Sequence, residues 1–167
     1  MHTLIVLLVV VAVAALLWLG VLAATRATRL NRLNVRVDLA RASLLSALDR
    51  RAVVARSIAA TCDDPDLAAS LTAAATAAED AAPDDREAAE NRLTTVLART
   101  GPDQRPPALT AELADAQARV SIARRFYNDS VRDARTLGGR RMVRWLHLGG
   151  HARLPEYFEI SERLTPE

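Results

Sequence analysis

The sequence predicts an all-α membrane protein. It would have one N-terminal transmembrane helix, then an antiparallel four-helix bundle with long first and last helices, and a short basic amphipathic C-terminal segment. Three observations predict it. The first charged side chain of the 167 residues is Arg26, and Thr3 to Thr25 is almost wholly apolar. Aromatic residues make up only 4% of the chain, and alternating runs rich in Val, Ile and Thr are few, so a sheet has little to be built from. Beyond Arg26 apolar residues recur at spacings of three and four, the period of a helix with one buried face.

The stretch Thr3 to Ala24 spans roughly 33 Å as a helix, enough for a bilayer core of about 30 Å. A cleaved signal peptide has a basic leading region and a shorter apolar core. Met1-His2-Thr3 carries no Lys or Arg, although Val21-Leu22-Ala23 offers a small-x-small site. Immediately behind the stretch stand Arg26, Arg29, Arg32, Arg36 and Arg41. Arginines so close to a span keep their side in the cytoplasm. The expectation is an N-out/C-in anchor over residues 1–25, in the inner or plasma membrane, with a cleaved or reversed segment as the alternative. Trp18 and Gly20 suit the inner end of a span, since Trp rings prefer the interface.

The remaining body suffices for one domain with a modest core. From Leu30 to Ile58 the seam is Leu30, Leu33, Val37, Ala40, Leu44, Ala47 or Leu48, Val54 and Ile58, close to a heptad repeat. Asp64-Pro65-Asp66 reads as a helix start, with Asp64 as N-cap and Pro65 in the first turn. The helix that follows, to about Ala82, has only Leu67 and Leu71 as large apolar residues and buries little area. Ala82-Pro83-Asp84-Asp85 reads as a second break and cap, opening a helix to about Arg99 with Leu93, Val96 and Leu97 inward. The alternative makes Pro83 a kink within one long helix, giving three helices. Thr100 to Pro107 is a loop. The last long helix, about Ala108 to Leu137, has the seam Leu109, Leu113, Ala116, Val120, Ala123, Tyr127, Val131 (or Ser130), Ala134 and Leu137. Gly138-Gly139 ends it. The bundle is expected over 26–138, and a basic amphipathic segment with a tail over 139–167.

All 22 basic residues are arginine, and they are segregated. Arg26 to Arg56 holds eight Arg against Asp38 and Asp49, for +6. Thr61 to Ala118 holds four against twelve acids, for −8, and Arg119 to Arg153 nine against two, for +7. In an antiparallel four-helix arrangement the basic ends of both long helices return to the membrane. Cys62 is the sole cysteine, which excludes an intrachain disulfide and offers no redox motif.

Two segments together carry a family resemblance. The first runs from Leu30-Asn31-Arg32-Leu33 through Val35-Arg36-Val37 to Leu45-Ser46-Ala47-Leu48-Asp49-Arg50-Arg51. The second is Ala123 to Asp133, holding Arg124-Arg125-Phe126-Tyr127-Asn128 and Val131, followed downstream by Pro155-Glu156-Tyr157-Phe158-Glu159. This order resembles the LemA family: a short outer N-terminus, one span and a cytoplasmic helical bundle. The family motif positions are Tyr127, Asn128, Val131, Tyr157 and Phe158. Ala134-Arg135 replaces a second Tyr-Asn, Gly138-Gly139-Arg140 replaces Phe-Pro, and the family's Trp and Arg-His-Asp-Leu run in the first helix have no counterpart. The resemblance therefore implies a divergent relative, and it implies a fold and a topology but no catalytic activity.

Among candidate sites, Tyr127-Asn128 reads either as a recognition point or as a core Tyr with an Asn bonded to a neighbouring helix. The second is the expectation. Arg140, Arg144, His147 and His151 share one face of a helical register, and Met142, Val143, Trp145 and Leu146 cover the other side. With Arg141 and the arginines from Arg26 to Arg36 they would face anionic inner-leaflet lipid, or else the segment folds its apolar side onto the bundle. His147 and His151 are four apart, but Gly149-Gly150 interrupts the face and no third ligand has a fixed spacing, so no metal is expected. Acid pairs Asp63/Asp64, Glu79/Asp80 and Asp84/Asp85 lie at helix ends, where capping and dipole effects explain them. No phosphate loop, serine elbow or zinc spacing occurs, so no catalytic residue, cofactor or small-molecule substrate is expected. Arginine without interleaved aromatics does not indicate nucleic acid. The expected function is that of a non-catalytic adaptor or scaffold with an unidentified protein partner. A self-associating, membrane-organising homo-oligomer is the alternative, and an extracytoplasmic helical binding protein a remote one.

Overall fold

The computed structural model describes residues 2–138 and 155–160, and among them every regular element is helical. Helix α1 is His2–Ala59, α2 Pro65–Asp80, α3 Arg86–Arg99 and α4 Pro107–Gly138, with a single 3-10 turn, Pro102–Gln104, ahead of α4. The segment 139–154, with Arg140, Arg141, Arg144, His147 and His151, lies outside the described residues, as do the tail 161–167 and the side chains of Arg26, Arg29, Leu30 and Leu137.

The apolar stretch and the first amphipathic helix are one element, not two. α1 carries both in 58 uninterrupted residues, because no Pro or Gly stands between Val21 and Ala59 to break the ladder. Its portion His2–Leu22 has a mean hydropathy of 3.1 and none of it is buried by the other described residues. By length and composition that portion can cross a membrane.

Pro83 separates two helices and does not kink one. α2 ends at Asp80, Ala81 is extended (φ −62°, ψ 134°), and α3 starts only at Arg86. The two acidic starts differ in chemistry. Asp64 caps α2 as expected: its carboxylate accepts from the N–H groups of Asp66 and Leu67 at 2.9 and 3.2 Å. Asp85 occupies the corresponding position of α3, but its backbone is helical (φ −100°, ψ −8°) and its side chain makes no cap bond. The Asp85 N–H instead closes a turn onto the Ala82 carbonyl at 3.0 Å.

The chain divides into two compact units, Met1–Asp38 with Ser130–Glu156, and Leu39–Asp129 with Tyr157–Glu167. The first contains the exposed apolar portion of α1, and Val37, Val131 and Ala134 are buried within it. The second holds the main core. There Ala52, Val54, Ala55, Ile58 and Ala59 of α1 meet Leu71, Ala75 and Ala78 of α2, Ala89, Leu93 and Leu97 of α3, and Leu113 and Ala116 of α4. These are the positions the helical period selects, and the Leu side chains supply most of the apolar area. α2 contributes chiefly alanine, which permits close approach but buries little.

Truncating Leu93, which is fully buried, should therefore cost about 2–5 kcal/mol, whereas Val53→Ala on the exposed side of α1 should change stability by less than about 0.5 kcal/mol. Urea unfolding of the detergent-solubilised protein, followed by helical circular dichroism, measures both.

Candidate functional site

The most constrained chemistry in the second unit is a buried set of charges between α1 and α3. Arg51 falls on the inward phase of α1, among Leu48, Ala52 and Ala55, and only 4% of it is exposed. Burying a guanidinium is costly unless its donors are used. Its Nη1 donates to the Thr94 hydroxyl at 3.1 Å, and its Nη2 donates to the Glu90 carbonyl at 3.2 Å and to Glu90 Oε2. Glu90 is fully buried, and its other oxygen, Oε1, accepts from Arg86 Nε at 3.1 Å. The Thr94 hydroxyl in turn donates to the Glu90 carbonyl at 3.0 Å.

Arg86 extends the network outward. Its Nη1 donates to the Glu79 carbonyl near the end of α2 at 3.2 Å, and its Nη2 to Asp49 Oδ1 at 2.7 Å. Asp49 is half-exposed, so two cations and two anions balance across the boundary between core and solvent. A second ion pair joins α1 to α2: Arg56 donates to both carboxylate oxygens of Glu79, one of them at 2.9 Å. The hydrogen bond from Arg56 holds the Glu79 carboxyl below the usual glutamate range, and the same bond raises the Arg56 guanidinium. Arg105 closes the end of α3, donating to Thr100 Oγ1 at 2.7 Å, to the Leu97 carbonyl at 2.8 Å and to the Thr100 carbonyl. Both carbonyls belong to the C-terminal end of α3, where intrahelical donors run out, and burial lowers the Arg105 guanidinium from its ordinary value.

None of Arg51, Arg86, Glu90, Thr94 or Arg105 stands out in a search for catalytic motifs. The signal for them is a charge on an apolar phase: Arg51 lies in register with Leu44, Leu48, Ala55 and Ile58, and Arg86 and Glu90 form an i, i+4 pair on the inward side of α3. Apart from Arg51 Nε, which is buried without a hydrogen-bond partner, the donor nitrogens of the Arg51 and Arg86 guanidinium groups are taken up within the network, and what it does is hold α1, α2 and α3 in register.

The second arrangement involves two of the motif positions. Tyr127 is a buried residue of α4, as expected. Asn128 does not bond to a neighbouring helix. Its amide nitrogen donates to the Phe158 carbonyl at 3.0 Å, and its amide oxygen accepts the Phe158 N–H at 2.9 Å. The next N–H, of Glu159, donates to Glu87 Oε1 on α3 at 2.9 Å. Tyr157 and Glu159 are exposed, Phe158 is half-buried and Ile160 is buried, the alternation of an extended chain. Of the arginines that follow the apolar stretch, Arg32 and Arg36 are exposed on α1.

An open groove of about 420 Å³ between α2 and α3 is lined by Ala74, Ala77, Ala88 and Arg92, among others. A larger one of about 700 Å³ between α1 and α4 includes Ser43, Ser46, Arg50, Asp115, Arg119 and Phe126, with no histidine or cysteine to activate either serine. Among the described residues no group of three or more His, Cys, Asp or Glu side chains is placed to hold a metal ion. Fold and site together define an all-helical protein with an N-terminal helix able to span a membrane, an internally neutralised core and a clamped extended segment. No protein-family model, curated protein or solved structure matches the chain.

Two outcomes follow. Glu90→Ala should cost about 3–5 kcal/mol, because it strands buried Arg51 without an anion and takes from Arg86 one of its two, while the double replacement Arg51→Met, Glu90→Leu should cost less than Glu90→Ala alone. Chemical denaturation of each variant tests this. The Glu79 carboxyl is depressed in the folded state, so its stabilisation is present above its ordinary value of about 4.5 and is lost as pH falls through the lower folded value. Between about pH 6 and about pH 3 the Tm of Glu79→Gln should fall less than that of the wild type, scaled down because the pair is partly solvated.

Proposed function

We propose that this chain is a single-pass membrane protein whose body lies in the cytoplasm as an antiparallel four-helix bundle. In this reading it is a divergent LemA relative that acts as a non-catalytic adaptor or scaffold. The carrying observation is α1: an apolar portion, His2–Leu22, that none of the described residues covers, followed directly by Arg26, Arg29, Arg32 and Arg36. Arginines clustered directly behind a span favour the cytoplasmic side. The grouping of 1–38 with 130–156 in one compact unit supports a returning α4, and with it a basic collar at the membrane. The pairing of Asn128 with Phe158 supports the resemblance, since both are motif positions.

The adaptor reading draws on the exposed acids of the connections and helix ends, Asp63, Asp64, Asp66, Asp80, Asp84, Asp85 and Asp103. They offer a basic partner a solvent-exposed surface of negative charge. Self-association has its own support in the exposed apolar side chains Leu39, Ile122 and Phe126, which are 68%, 58% and 64% accessible.

Reporter fusions after Arg36 and at Glu167 test the topology: both should report cytoplasm, and an extracytoplasmic signal at either overturns the membrane argument. Affinity capture with and without the hairpin Thr61 to Arg105 tests the adaptor surface. The partner set should shrink when the hairpin is removed, and an unchanged set defeats the hairpin as the docking surface. Crosslinking in intact membranes should give ladders only if self-association holds.

A further inference from the structure

The clamp at Asn128 is built in the manner of a receptor for main chain. One carboxamide reads both the N–H and the C=O of a single residue, Phe158, and Glu87 on the neighbouring helix takes the next N–H. None of these three bonds depends on the side chain of the residue bound. Specificity comes from the alternate positions, where Phe158 is half-buried and Ile160 buried. Backbone bonds that set orientation, with seats for every second side chain, are the general mode by which proteins bind extended peptides.

The chain's own segment fits that site imperfectly. Glu159 presents a carboxylate on the very residue whose N–H is given to the carboxylate of Glu87, so two like charges are carried at one position. Phe158 is only partly covered. What favours the segment is that it belongs to the same chain, a covalent tether that makes its binding intramolecular, with an effective concentration on the order of millimolar. A second copy of this chain offers the same side chains without the tether and loses to the resident segment. A foreign segment with better side chains does not.

We propose that Asn128 and Glu87 form a binding site for an extended peptide of a partner protein, with an aromatic residue, then a basic one, then an aliphatic one. The segment Tyr157 to Ile160 is its resident competitor. Binding breaks and remakes the same three backbone hydrogen bonds and leaves α3 and α4 in place.

The test uses the full-length protein in detergent and two end-capped, fluorescent hexapeptides. One has the sequence of residues 155–160 and the other carries Lys in place of the fifth residue. Vacating the site with Phe158→Ala and Ile160→Ala should let the Lys peptide bind at least tenfold more tightly than to wild type, and more tightly than the native-sequence peptide. That preference should shrink as salt is raised. Adding Asn128→Leu should weaken binding at least tenfold while helical circular dichroism stays unchanged. Should the vacated variant fail to fold, amide exchange in the wild type decides: millimolar Lys peptide should accelerate exchange at Phe158 and Glu159. Binding that ignores Asn128, no preference for Lys, or unchanged exchange at those amides overturns the proposal. Preferential capture of a second tagged copy over the Lys peptide also overturns it, and assigns the site to exchange between copies.

Discussion

The buried pairing of Arg51 with Glu90 is the constraint on which the second unit depends. Three charged side chains, Arg51, Arg86 and Glu90, sit in or against an alanine- and leucine-lined core, and the Glu90 carboxylate answers both guanidinium groups. Apolar contacts between helices are forgiving of rotation and sliding. This network is not. Turning α3 by one residue swings Glu90 about 100° away from Arg51, which is left buried without an anion, and carries Arg86 off Asp49 and the Glu79 carbonyl. Leucine and alanine thus drive association, and the charges select one register among the many that would bury similar area.

The same network explains how a weak element is held. α2 buries only Leu67, Leu71 and two alanines. It is fastened at its far end by Arg56 on Glu79 and by Arg86 on the Glu79 carbonyl, and at its start by the Asp64 cap. Polar fastening at both ends of a poorly buried helix compensates for the apolar area that alanine cannot supply.

What was legible in the sequence is what repeats. The seams of α1 and α4 follow from apolar spacing: Val37, Leu44, Leu48, Val54 and Ile58, and Leu113, Ala116, Val120, Ala123, Tyr127 and Ala134, are buried. Asp64-Pro65 located a helix start because cap and proline act locally. Asp84-Asp85 suggested a side-chain cap that does not form, since the same residues also suit a turn and only the backbone decides between them. Arg51 and Glu90 were hidden because periodicity counts charged residues as surface, although their phase is inward. The link from Asn128 to Phe158 spans 30 positions, and no local rule connects an amide on a helix to a backbone so far away.

Uniform arginine usage conceals two kinds of position. Arg32, Arg36 and Arg41 are exposed, and what they need is charge, which lysine supplies equally well. Arg86 directs Nε, Nη1 and Nη2 at three acceptors on three different residues, Glu90, Glu79 and Asp49. A lysine ammonium is a single point at the end of a flexible stem and cannot reproduce that fork. Among relatives that draw on both basic residues, lysine should drift freely through the arginines near the apolar portion of α1 and stay out of positions 51 and 86. The tolerated alphabet at each arginine, more than its charge, would mark which cations belong to the core.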